Sequence, residues 1–148
     1  MKKILFIDNP EYLKSEDVIW FDVPPNKGKE DLISSIEQGL DFLVGGTNWD
    51  SLDENLATGE WAKKNKIVIN HNLVPELTEK DLNIYLSILN DNSAIYDYNN
   101  KDILFSELNI GDLLKSDLKW ALIVIFPEKF KEKISDIIQR LGQPPFTD

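Results

Sequence analysis

The stretch GGTNWDSLDENL, residues 45–56, holds the side chains of this chain that are best placed to do chemistry. Asp50, Asp53 and Glu54 follow the i, i+3, i+4 spacing of a helix, so their carboxylates would project from one face. Grouped carboxylates can act as general acids and bases, hold Mg²⁺ or bind a cationic partner. The paired glycines before them suggest another use, because exposed amides at a helix start bind phosphate.

The charge around these acids favours a cationic partner. The 148-residue chain has a formal net charge of −10, and no lysine or arginine lies within residues 30–62. The unopposed acids of that stretch are Glu30, Asp31, Glu37, Asp41, Asp50, Asp53, Glu54 and Glu60. Like charges three or four residues apart on a helix cost roughly 0.2–0.5 kcal/mol per pair. Such a face is suited to positive charge on another molecule, whereas it repels nucleic acid and anionic membranes.

A purely structural role is the alternative for the same residues. Thr47 and Asp50 match a capping box, in which Thr47 caps the helix and Asp50 reaches back to its first amide. Acids are also common in a first helical turn, where the helix dipole stabilises them. This role explains Asp50, but it leaves Asp53, Glu54 and the long stretch without a cation unexplained.

Catalytic and cofactor chemistry finds little support elsewhere in the chain. Gly45 and Gly46 lack the spacing of a dinucleotide-binding loop and a Walker lysine, and the nearby carboxylates would repel phosphate. The chain has no cysteine and one histidine, His71, which are too few ligands for the usual zinc sites. No second carboxylate cluster completes an acid–base or magnesium site beside Asp50. We therefore predict no catalytic residue, no metal and no cofactor.

Two ring side chains near the motif admit both structural and functional roles. His71 follows a predicted strand, where loops often carry function, but a turn residue between two asparagines is the simpler interpretation. Trp61 closes the acidic stretch and is equally suited to contacting a partner and to covering the core.

Several strands are predicted among the elements that would position the acids. Runs rich in branched and aromatic residues predict strands at 3–8, 18–23, 66–70 and 119–126. The first two runs are almost continuously apolar, which indicates burial on both faces, as in a parallel sheet. A weaker strand candidate lies at Ala94–Tyr98.

Helices alternate with these strands. Apolar residues at helical spacing predict helices at 29–40, 48–56, 78–90 and 127–141. The inward stripes of the first two are Leu32, Ile33, Ile36 and Leu40, then Trp49, Leu52 and Leu56. Pro127 fits the first position of the last helix, and a helical turn is expected near 106–115. The alternation predicts an α/β domain with a mostly parallel sheet.

The length fits a single domain covering 1–148. The apolar run that follows Lys2 and Lys3 stops at Asp8, too early for a signal peptide, and no segment has the roughly 20 apolar residues of a membrane span. We expect a cytoplasmic protein with no membrane partner.

The motif GGTNWDSLDENL, followed by Trp61 and the strand KIVIN, resembles the barstar family of ribonuclease inhibitors. That family's typical run is aromatic-Gly-x-Asn-Trp/Leu-Asp-Ala-Leu-x-Asp-x-Leu. The order of elements also fits over about 18–91 and the strand 119–126. The resemblance implies a barstar-like, mostly parallel sheet of three to four strands flanked by helices. An extra N-terminal strand, an insertion at 91–117 and a C-terminal helix lie outside the minimal family.

The resemblance also implies a binding site. In barstar-like proteins the acids of this helix and of the loop before it enter the active site of a basic ribonuclease, where they stand in for substrate phosphates. By match to the motif, Asp50 and Glu54 would be the principal inhibitory acids, and Asn48 would order the loop into the helix. The partner-binding residues expected here are Gly46, Asn48, Asp50, Asp53, Glu54 and Trp61.

Some neighbouring positions depart from the family pattern or are expected to lie outside the contact. Val44 and Gly45 stand where the family commonly has aromatics, and Glu54 replaces an aspartate, so a different partner nuclease is expected. Glu30 and Glu37, on the preceding helix, are expected to lie away from the contact.

Three functions from different classes fit these observations. The first is an immunity-type protein that inhibits a cytotoxic nuclease, with a ribonuclease as the leading candidate. The second is a barstar-like binding module that docks a basic regulatory protein through the same face. The third is a Mg²⁺-dependent hydrolase that uses Asp50, Asp53 and Glu54. Metal titration separates the third from the others, and a basic nuclease encoded beside the chain separates the first from the second.

Overall fold

The computed structural model describes residues 3–43 and 45–142. Val44, which stands where the family commonly has an aromatic residue, lies outside the described residues. The strands are β1 (Ile4–Phe6), β2 (Ile19–Val23), β3 (Lys66–His71), β4 (Ala94–Tyr96) and β5 (Trp120–Phe126). The helices are α1 (Lys29–Gly39), α2 (Trp49–Thr58), α3 (Glu79–Asn92), α4 (Ile110–Lys115) and α5 (Lys131–Leu141). Short 3-10 turns at Pro10–Leu13 and Glu128–Phe130 complete the set.

The strands form one five-stranded, mostly parallel sheet, which confirms the predicted α/β class. The order β1-β5-β3-β2 is parallel throughout, and β4 adds to β5 in the antiparallel sense. Since β3 takes one edge of β5, both β1 and β4 lie along the other edge. There β1 pairs with residues 124–126 and β4 with residues 120–122. The two short strands therefore share one edge of the central strand.

Burial of the strands follows their place in the sheet. All of β3 and β1 is buried, and β5 is buried except for the half-buried Trp120. The prediction that the second run is buried on both faces is wrong, because β2 lies at the edge of the sheet. Its residues are half-buried, and Asp22 is exposed.

Helices cover both faces of the sheet. Alternate strand residues point to opposite sides, so Ile67 and Ile69 join one apolar core while Val68 joins the other. The larger core receives α1, α2, α3 and α5. The smaller core receives α4 and the turn Pro10–Leu13. The segment 91–117 thus supplies β4 and a helix, α4, that covers the second face.

The predicted helices are present, with a different start for the last one. Pro127 precedes a 3-10 turn, and α5 begins only at Lys131. Ile134 and Ile137 of its apolar stripe are buried, whereas Leu141 is 44% exposed. Within the described residues, no helix combines the length and the apolar character needed to cross a membrane.

Candidate binding site on helix α2

The N-terminus of α2 is capped one residue later than the capping box predicts. Asn48 has an extended backbone, and its side-chain oxygen accepts a hydrogen bond from the Ser51 amide at 2.8 Å. This is the normal geometry of an N-cap residue. Thr47 is exposed and lies before the cap, so the box of Thr47 and Asp50 is wrong. Asn48 holds the junction of loop and helix, the place that the motif assigns to it.

The apolar side of α2 fixes the direction of its acids. Trp49, Leu52 and Leu56 are 8%, 0% and 1% exposed, which confirms the predicted inward stripe. The indole N–H of Trp49 also donates to the carboxylate of Asp81 on α3, at 3.1 Å. With this side held against the core, the opposite side of the helix has to face outward.

The three acids of α2 are all exposed, but they do not point to one place. Asp53 accepts a hydrogen bond from the side-chain amide of Asn92 on α3, at 2.7 Å. Glu54, the next residue of the helix, lines a hollow instead, and Asp50 lies between these two acids on the helical wheel. Across 3–43 and 45–142 the one ion pair joins Lys63 to Asp41, so no lysine or arginine there neutralises an acid of α2.

The hollow beside Glu54 has a volume of about 470 Å³. One wall is the loop that leads into α2, and the other is the polar side of α2 itself. The lining residues are Leu43, Gly45, Gly46, Asn48, Ser51, Glu54, Asn55, Thr58, Glu60 and Trp61. The predicted residues Gly46, Asn48, Glu54 and Trp61 therefore meet around one concave surface, to which Glu60 adds a second exposed carboxylate.

Trp61 is a core residue that borders this hollow. Its side chain is 4% exposed, and its indole N–H donates to the Asn55 carbonyl at 2.6 Å. Its ring packs against Phe42 with centroids 4.9 Å apart. Of the two uses expected for Trp61, the structure shows the covering of the core. A partner would reach only its remaining edge.

The amide of Gly46 is held by Glu37, a residue predicted to lie away from the contact. Both carboxylate oxygens of Glu37 lie 3.0 Å from the Gly46 amide nitrogen, so the N–H is shared between them. This amide is therefore already occupied by an internal anion, which argues against a phosphate cradle. Helical periodicity marks Glu37 as a solvent-facing position, and no local pattern links it to a glycine nine residues later.

His71 belongs to the core, so its interpretation as a turn residue is wrong. It is the last residue of β3 and 1% exposed. Its Nδ1 lies 3.0 Å from the Ile125 carbonyl, which can only accept, so Nδ1 carries the proton and Nε2 accepts from the Tyr85 hydroxyl at 2.7 Å. The ring stacks on Phe126 with centroids 3.9 Å apart. Burial lowers the pKa of His71 to about 3, although the Ile125 hydrogen bond partly opposes this.

The divergence of the acids also bears on metal binding. In the part of the chain that the structure describes, no three histidine, cysteine, aspartate or glutamate side chains come together as ligands for an ion. Asp53 and Glu54 make different contacts, because Asp53 accepts from Asn92 whereas Glu54 lines the hollow. This arrangement does not support the magnesium alternative.

Comparison with protein-family models, with curated proteins and with solved structures gives no significant match. The resemblance to the barstar family therefore remains a prediction from the motif and from the order of elements.

Proposed function

We propose that this chain is a barstar-like inhibitor, an immunity protein that neutralises a cytotoxic nuclease by placing acids of α2 in its active site. The observation that carries the proposal is that these acids are exposed and have no cationic partner among the described residues. Asp50, Asp53 and Glu54 are exposed on a helix anchored by its apolar side, and no lysine or arginine in the described part of the chain pairs with them. Repulsion among these carboxylates, which no lysine or arginine of the described residues offsets, is relieved when a cationic surface binds.

The hollow supports the same function. Glu54 and Glu60 both line it, so a lysine or arginine side chain that enters would meet two carboxylates. Asn48, Ser51 and Thr58 line the same wall and offer further hydrogen-bonding groups. Cationic side chains that bind substrate phosphates are typical of nuclease active sites, and carboxylates can take the place of those phosphates.

The overall charge suits rapid capture of such a toxin. A net charge of −10 attracts a basic protein over long range and raises the rate of encounter. A ribonuclease is the leading partner, and the toxin domain of an interbacterial competition system is a natural source. We place the action of the inhibitor in the cytoplasm, where such a toxin meets RNA.

The test is a binding titration against candidate basic ribonucleases, beginning with any that is encoded beside this chain, with inhibition of RNA cleavage measured in parallel. Glu54→Ala leaves cations of the nuclease buried without a counter-charge, which typically costs about 2–5 kcal/mol. This corresponds to a Kd roughly thirtyfold to several thousandfold higher. Asp53→Ala should cost less than Glu54→Ala, because the Asp53 carboxylate is already engaged by Asn92.

Glu30→Ala is the matched control. Glu30 is an exposed acid in the first turn of α1, and its removal should cost less than about 1 kcal/mol, as for other exposed charges. Glu37 is unsuitable as a control, since it holds Gly46 at the wall of the hollow. Equal binding by the Glu54 and Glu30 variants would contradict the proposed contact. Tight binding without inhibition of cleavage would instead indicate the alternative, a module that docks a basic regulatory protein.

A further inference from the structure

The loop between α1 and α2 forms one wall of the hollow, and Glu37 holds it at two points. The backbone carbonyl of Glu37 accepts from the Phe42 amide at 3.0 Å, close to where the loop leaves α1. Its carboxylate accepts from the Gly46 amide, close to where the loop enters α2. One residue of α1 therefore holds the loop at Phe42 and at Gly46, and Gly46 lines the same hollow as Glu54.

The paired glycines leave room for neighbouring side chains, and neither has a positive φ. A Cβ on Gly45 would lie 2.3 Å from a carboxylate oxygen of Glu37. A Cβ on Gly46 would lie 2.9 Å from the hydroxyl oxygen of Ser51. Any larger residue at 45 would displace the Glu37 carboxylate, and one at 46 would displace the Ser51 side chain.

We propose that Glu37 is a positioning residue for the binding site, whose carboxylate fixes the loop wall opposite Glu54 and so sets the shape that a partner must fit. This inference rests on the proposed function for its consequence in binding. The charge of Glu37 is directed at a backbone amide within the protein. It acts on the partner through the position of the loop, whereas Glu54 acts by direct charge.

The first measurement needs no partner: amide hydrogen exchange of Gly46 in the full chain, followed by NMR. Glu37→Ala removes the acceptor, so exchange at Gly46 should rise about tenfold or more, as expected when a charge-assisted hydrogen bond is lost. Glu37→Gln keeps a side-chain oxygen and should retain most of the protection. Gly45→Ala should reproduce the effect of Glu37→Ala, and the double variant should be no worse than either single variant.

The second measurement is dissociation of the same variants from the basic nuclease that the binding titration identifies. Glu37→Ala should speed dissociation by about tenfold, Glu37→Gln should restore slow dissociation, and Glu30→Ala should leave it unchanged. Urea unfolding of each variant checks that the fold is retained. If Glu37→Gln protects Gly46 but binds as poorly as Glu37→Ala, Glu37 acts through its charge and the positioning role is overturned.

The two measurements separate the inference from the proposed function. Unchanged Gly46 exchange in both Glu37→Ala and Gly45→Ala would overturn the inference, whatever the nuclease does. If no candidate nuclease binds the unmodified chain while Gly46 exchange responds as expected, the proposed function falls and the fixing of the loop by Glu37 stands.

Discussion

The buried imidazole of His71 makes the free energy of unfolding depend on pH in a defined window. In the folded chain burial lowers its pKa to about 3, from an ordinary value of 6.5. Between these two values the unfolded chain binds a proton that the folded chain does not. Stability therefore rises with pH across this window and is lost as the pH falls from about 6.5 toward 3.

The size of the effect follows from the same two values. Each pH unit inside the window is worth about 1.4 kcal/mol. Acidification from neutral pH to pH 5 should thus cost the fold about 2 kcal/mol through His71 alone. The carboxylates also begin to titrate near pH 5, so the contribution of His71 has to be obtained by difference from a variant that cannot be protonated there.

His71→Gln provides that variant, because an amide can still donate toward Ile125 and accept from Tyr85. It should be less stable than the unmodified chain at pH 8, since it loses the ring stacked on Phe126. Urea unfolding at several pH values should show this gap narrowing by about 2 kcal/mol between pH 8 and pH 5. A gap that stays constant within about 0.5 kcal/mol would refute the reasoning. NMR offers a direct check, because His71 is the sole histidine and its ring protons should not shift between pH 7.5 and pH 5.

Two further predictions concern α2. Replacement of Asp50, Asp53 and Glu54 by their amides should leave the free energy of unfolding within about 0.5 kcal/mol of its original value or raise it slightly, because repulsion is removed. A large loss in urea unfolding would mean that these acids serve the fold. Asn48→Ala should cost about 1 kcal/mol by loss of the cap, whereas Thr47→Ala should cost little, and the opposite order would restore the capping box.

Local sequence pattern was sufficient for the elements that form the sheet and for the inward side of α2. The strand β5 is a continuous apolar run, and β3 has a run of three branched residues at its centre; both are buried on both faces, so composition marks them. The half-burial of β2 could not be foreseen, because it depends on which strand lies at the edge. Periodicity predicted that Trp49 faces inward, because Leu52 and Leu56 follow it on the same side of the helix.

The parts of the site that escaped prediction depend on contacts between distant residues. Thr47 and Asn48 can both cap a helix, and the local signals conflict, because the preference for Asn favours Asn48 whereas the capping box with Asp50 favours Thr47. Glu37 was expected to lie away from the contact. Its bond to Gly46 joins residues nine positions apart, and no local pattern indicates such a contact. His71 was taken for a turn residue because β3 extends one residue beyond its predicted end at residue 70, where pairing with Val23 continues.

The central strand of the sheet, β5, is also the last of the five described strands in chain order. β5 is the only pairing partner of β1 and of β4 within the named strands, and it pairs with β3 as well. Until residues 120–126 have emerged, these three strands display open hydrogen-bonding edges of the kind that favour aggregation. β1 has the longest wait, since more than a hundred residues separate Phe6 from its partner Phe126. The sheet can therefore close only after β5 has emerged, and a nascent chain stalled before β5 displays the open strand edges that chaperones protect.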